Sequence, residues 1–155
     1  MAFEPVYTFT TGEIVTADLL NTYISANTDY LNTSMVTATG TVTLTNKRIT
    51  KRIGTVASSA TPTPASDDVD VYIVTALAEA ATFGAPTGTP TQGQTLIIRI
   101  LDNGTARALS FNAAYRFSTD LAAPTTTVIS KTIYLGFAWN VQASKWDCLA
   151  ILNNF

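Results

Sequence analysis

The sequence predicts a mainly β protein: an antiparallel sandwich-like domain preceded by an N-terminal arm and one helix. Three observations carry this expectation. From Gly54 onward, apolar runs of strand length recur at short spacing between Pro- and Gly-rich loops. No 3.6-residue period appears among them, and the one clear helical stripe lies ahead of them, between Thr16 and Asn32. At the centre, Thr95–Leu101 and Thr105–Phe111 flank Asn103-Gly104, the dipeptide favoured in the type I′ turn of a β-hairpin. The 155 residues suffice for one domain with its own core plus an appendage. The expected division is an arm and helix over 1–34, a connecting strand segment over 35–53 and a β domain over 54–155.

The arm comes first. Phe3, Val6, Tyr7 and Phe9 alternate with polar residues before the Thr10-Thr11-Gly12 break, and so short a segment cannot bury its own rings. It either folds back on its domain or docks on a partner. In the docked reading these four residues attach the protein to a larger assembly. No basic segment followed by an apolar core opens the chain, so neither a signal peptide nor a membrane anchor is expected.

Thr16 is a suitable N-cap, and Asp18 places a negative charge in the first turn, where the helix dipole favours it. Two adjacent rows follow, Leu20, Ile24, Asn27, Leu31 and Leu19, Tyr23, Ala26, Tyr30, each spaced four, three and four. The broad apolar face packs on the chain's own β domain, or it forms the seam of a self-associating bundle with Asn27 as the polar register residue.

Between Ser34 and Ile53 the apolar period changes to two, with Val36, Ala38, Val42 and Leu44 alternating with threonines. Asn46–Arg52 then carries four of the nine Lys and Arg residues, and Asp67-Asp68-Val69-Asp70 carries three of the eleven acids. The two blocks can pair with each other or across subunits, or remain solvated turns.

In the β domain, Ser58–Ser66 reads as a loop, Val69–Ala76 as a strand and Ala85–Gly93 as a second loop. The central hairpin follows. Leu96–Leu101 is apolar throughout except for Arg99, which predicts a strand covered on both faces, either central in a sandwich or buried by a neighbouring subunit. Tyr115–Pro124 reads as a crossing loop. Thr126–Val141 and Trp146–Leu152 form a last hairpin about Gln142–Lys145.

Composition removes several chemistries. Charged residues make up 13% of the chain and hydrophobic ones 46%, so Thr, Ser, Asn and Gly supply much of the polar surface, which suits close subunit packing. A net charge of -2 gives no field for recruiting nucleic acid. The absence of histidine removes the commonest general base and metal ligand, and the lone Cys148 permits no intrachain disulfide. The acidic cluster at 67–70 lacks the glycine and distal glutamate of an EF-hand loop. Tyr115, Phe117, Trp139 and Trp146 are either core residues or a sugar-stacking shelf. These residues lead to the expectation of a non-enzymatic protein with no cofactor and no metal.

The run Leu44–Arg52, Ala57–Thr63, Gly88–Gln94, Ile98–Arg107 and Lys145–Cys148 resembles a β module of tailed-bacteriophage virion proteins, found in fibre-like and head-decoration proteins. The likeness spans about residues 44–152. Phe9–Glu13 with Leu19–Asn21 and Asn27–Leu31 is similar, more loosely, to the attachment segments of such proteins. Lys51 stands where the module often has proline. The resemblance implies a trimeric, non-enzymatic structural protein located in the virion after synthesis in the host cytoplasm. Its expected partners are copies of itself and the major capsid protein or another virion protein, with no nucleic acid and no membrane. A compact chain without internal repeats favours capsid decoration or cement, and the alternative is a tail fibre or receptor-binding adhesin.

Overall fold

The computed structural model describes residues 8, 10–34, 46 and 48–155; within the helix it describes the side chains up to Ile24 and those of Asn27 and Thr28. The alternating segment from Val36 to Leu44 and the arm residues Phe3, Val6, Tyr7 and Phe9 lie outside the described residues, as does the side chain of Leu31. The chain divides into two compact units, residues 1–48 and 49–155.

In the first unit, α1 runs Ala17–Ser34, and the Leu19 amide donates to Thr16 Oγ1 at 3.2 Å, as an N-cap requires. Asp18 stands in the first turn. The hydroxyls of Thr22 and Thr28 bond back to the carbonyls of Asp18 and Ile24, four residues earlier. That satisfies two side chains that otherwise compete with the helix.

The second unit is mainly β. Its strands are β1 (Ile53–Val56), β2 (Val71–Leu77), β3 (Ala81–Phe83), β4 (Thr95–Asp102), β5 (Leu109–Phe111), β6 (Tyr115–Arg116), β7 (Thr132–Asn140) and β8 (Lys145–Leu152). Six of them form one sheet in the order β1-β2-β4-β7-β8-β6, and β3 pairs with β5 in a small second sheet. The core lies between the two sheets, with Val74, Ile98, Ile100, Ile133, Leu135 and Phe137 from the large sheet meeting Phe83 and Leu109 from the small one. The architecture is sandwich-like.

The large sheet is mixed rather than wholly antiparallel. β1 with β2, β2 with β4, and β6 with β8 run parallel, whereas β7 runs antiparallel to both β4 and β8. The small sheet is parallel too. Parallel neighbours need long crossovers, and here residues 57–70 and 78–94 serve, built on proline turns instead of helices. Pro62 and Pro64 are buried, and the two loops close on each other through Ser66 N–H to Thr87 O at 2.8 Å and Gln94 Nε2 to Ser66 O at 2.7 Å.

The expected hairpin about Asn103-Gly104 does not form. β4 takes β2 and β7 as neighbours, while the chain beyond Gly104 leaves the sheet, and β5 joins β3. Of the pair, Gly104 has a positive φ of 90° and Asn103 is not among the residues with positive φ, so the turn is not type I′. Instead, Asp102 Oδ1 accepts the Gly104 amide at 2.9 Å and turns the chain through its side chain. Long partners on both sides win over three residues of local pairing. By contrast, the β7–β8 hairpin forms as the sequence predicts, with Ser144 at φ 50° in its turn and a bulge at Gly136/Phe137. The expected loop from Tyr115 opens with the two-residue strand β6.

Candidate functional site

Alternation along β4 buries Leu96, Ile98 and Ile100 and turns Ile97, Arg99 and Leu101 to the opposite face, where they are half-buried. The expectation of a strand covered on both faces is therefore met fully on one face and partly on the other. Cross-strand register builds the outward face. Ile97 lies beside Val71 and Gly136, and Arg99 beside Ile73 and Tyr134. β1 adds Ile53, 62% exposed, opposite Val71. β8 adds Ala150 opposite Gly136 and Leu152, 53% exposed, opposite Tyr134. Arg99 is the sole charged side chain among the outward positions of β1, β2, β4 and β7, and its Nε is buried without a hydrogen-bond partner.

α1 offers a second apolar surface. Leu20 is 44% and Ile24 57% exposed, one turn apart on the same stripe. Asn27 is half-buried. The structure thus leaves open to solvent two of the three apolar residues that sequence spacing assigns to an oligomer seam, the side chain of Leu31 lying outside the described residues.

The charged blocks pair within the chain. Arg52 donates from Nη2 to Asp70 Oδ1 at 2.8 Å and from its backbone amide to Asp70 Oδ2 at 2.9 Å, and its Nη1 reaches the Asp67 carbonyl. These bonds hold the Asp70 carboxyl at about 2, well below its usual 3.8. Asp67 receives the Thr89 amide at 2.9 Å and the Thr89 hydroxyl at 3.3 Å. The acidic cluster therefore ties β1 and the second crossover loop together. Among the described residues no three His, Cys, Asp or Glu side chains converge to hold a metal ion.

A small cleft of about 290 Å³ opens beside Arg116, Phe117, Ser118, Asp147 and Cys148, at the lower end of the range for small-molecule sites. Arg116 donates from Nε and Nη2 to the two carboxylate oxygens of Asp147, at 2.6 and 2.7 Å, and Asn140 Nδ2 adds a third bond at 3.0 Å. The Arg116 bond lowers the Asp147 carboxyl, which fixes it as an anion at neutral pH. Burial pushes the Cys148 thiol up, away from the thiolate that nucleophilic chemistry needs. The cluster latches β6 to β8, where Arg116 and Asp147 are register partners.

The aromatic residues resolve as core. Tyr115 and Trp146 are buried, and Phe117 and Trp139 pack against them, with Trp139 and Trp146 centroids 5.4 Å apart. Sequence reading found the outward sheet face only as the apolar run of β4 and missed the Arg116–Asp147 latch. Nothing local signals a pair so far apart in sequence. Comparison with protein-family models, curated proteins and solved structures gives no match for this chain.

Proposed function

We propose that this chain is a non-enzymatic structural protein of a tailed-phage virion, a homotrimer that decorates or cements the capsid and attaches through its N-terminal segment. The observation that carries this reading is uncovered apolar surface, on a charge-poor sheet face of the second unit and, separately, at Leu20 and Ile24 of the helix in the first. Side chains of that kind gain stability when assembly removes them from water. Meanwhile the acids that a metal or catalytic site would draw on, Asp67, Asp70, Asp102 and Asp147, are engaged in bonds that hold loops and strands. The resemblance of residues 44–152 to the phage β module supports the same reading.

In this proposal Phe3, Val6, Tyr7 and Phe9 dock on the major capsid protein or another virion protein. Aromatic side chains bury ~150 to 250 Å² each, so several weak arms on one oligomer give firm attachment. A tail-fibre or receptor-binding adhesin is the second reading, favoured by the cleft where Phe117 lies beside the Arg116–Asp147 pair, a polar and aromatic combination suited to a sugar. Quantitative mass spectrometry of purified particles separates the two. Many copies on tail-less capsids are expected, and a few copies confined to tails would overturn decoration in favour of the adhesin. Removal of residues 1–12 should leave a folded oligomer that no longer binds capsids stripped of the protein. Undiminished binding would defeat the role of the arm.

A further inference from the structure

We infer that the outward face of the six-stranded sheet is the contact surface between copies of this chain, the bulky half of one face seated on the shallow half of the next. This deepens the oligomer reading above by naming its interface. Side-chain size is the first argument. On β1, β2 and β4 the outward residues Ile53, Val71, Ile73 and Ile97 raise a ridge, whereas on β7 and β8 Gly136, Ala138 and Ala150 leave a trough. Tyr134 and Leu152 wall one end of that trough. Ridge and trough lie side by side on a single surface, so in a ring of three each copy seats its ridge on the trough of the next and receives the previous copy's ridge on its own trough, the head-to-tail contact by which a trimer closes.

Area and charge point the same way. Five strands about 4.8 Å apart and a seven-residue paired span rising about 3.3 Å per residue make a face of roughly 550 Å². In a trimer each contact joins half of one face to half of the next and buries roughly 550 Å², and the closed ring of three contacts buries roughly 1,650 Å² in all. The face asks for no acidic partner surface: Arg99 is the one outward charge of β1, β2, β4 and β7, and on β8 Asp147 and Lys145 are already bonded to Arg116 and to the Ala113 carbonyl. Burying the Arg99 guanidinium beside Tyr134 also fits the enrichment of arginine and tyrosine at interface centres.

Sedimentation equilibrium of the full chain at micromolar concentration tests the inference. The unaltered protein should sediment as a multiple of its 16.5 kDa chain mass. Ile97→Glu should return the single-chain mass with an unchanged circular dichroism spectrum. If Ile97→Glu fails to fold, Ile53→Glu at the exposed end of the ridge decides, with self-association expected to weaken at least tenfold. A mixing experiment reads the packing itself. In a Cys148→Ala background, Ile53→Cys and Ala150→Cys chains should form a disulfide with each other when mixed and not when kept apart. A single-chain mass for the unaltered protein would overturn the inference. So would a full oligomer in the folded sheet variants, including one that dissolves only on replacing Leu20 and Ile24 by Asp, or a mixture that forms no cross-link. Absence of the protein from capsids would defeat the virion reading and leave these masses unchanged.

Discussion

Asp102 and Ser130 are joined by a single hydrogen bond of 2.9 Å that closes the end of the sandwich: the buried carboxylate at the end of β4 accepts the Ser130 amide with the same oxygen that takes the amide of Gly104. Burial alone would raise the Asp102 carboxyl, but the Ser130 and Gly104 amides, the Thr127 hydroxyl and the charge of Arg107 together lower it. Asp102→Ala strands two backbone donors and should cost about 2–4 kcal/mol in urea denaturation. Asp102→Asn keeps an acceptor and should cost less than half as much. Because the folded carboxyl titrates below the unfolded one, its contribution is complete above the unfolded value near 4 and is lost as the pH falls through the folded value. Equal costs for Ala and Asn would show that packing, not hydrogen bonding, matters at this position.

The Arg52–Asp70 pair gives a titration with a stated midpoint. Asp70 should protonate at about 2 in the folded protein. In Arg52→Ala its midpoint should rise toward the usual 3.8, since the side-chain bond from Arg52 is the largest cause of the depression. Carboxyl carbon shifts followed by NMR against pH check both values. The stability that depends on this pair is present above about pH 4 and disappears as the pH falls toward 2. With Arg52 about half exposed, molar salt should diminish the difference between the variants.

Gly88 and Gly93 both have positive φ, 108° and 77°, yet they should tolerate substitution differently. A Cβ at Gly88 falls 2.7 Å from the Asp67 carboxyl carbon and the Ser66 hydroxyl, while one at Gly93 meets nothing within 4 Å. Gly88→Ala therefore adds displacement of Asp67 from Thr89 to backbone strain, an expected loss of about 2–4 kcal/mol. Gly93→Ala should cost about 1–2 kcal/mol. Thermal unfolding of the two variants ranks them directly.

The two residues of the supposed hairpin turn also separate. Gly104 occupies positive φ and Asn103 does not. Gly104→Val should destabilise the fold by about 1–2 kcal/mol or more, because a β-branched residue resists that conformation. Asn103→Val, which removes only an exposed contact with Arg107 at 3.1 Å, should cost under ~1 kcal/mol. Comparable losses at both positions in chemical denaturation would restore the type I′ turn.

These contrasts show which features local sequence reveals. The helix is legible because Thr16 is both a good cap and the start of a stripe, and the β7–β8 hairpin is legible because its ladder grows outward from its own turn. Asn103-Gly104 misleads because turn propensity competes with the burial gained when β4 sits between β2 and β7. The parallel pairs are hidden for a related reason. A helix-built crossover advertises itself by its period, whereas residues 57–70 cross on buried Pro62 and Pro64 and read as an ordinary loop. The outward face was half visible, since Leu96–Leu101 lacks the alternation of a one-sided strand, but only register assigns Gly136 and Ala150 to the same surface as Ile97.

The position of β4 has a consequence for the order of events on the ribosome. Its parallel neighbour β2 is synthesised before it, whereas its antiparallel neighbour β7 begins only at Thr132. While the intervening segment emerges, Leu96, Ile98 and Ile100 stand on a strand with one edge unpaired, the condition that invites association between nascent chains. Slowing synthesis between Asp102 and Thr132 lengthens that exposure, and chaperone demand should rise with it.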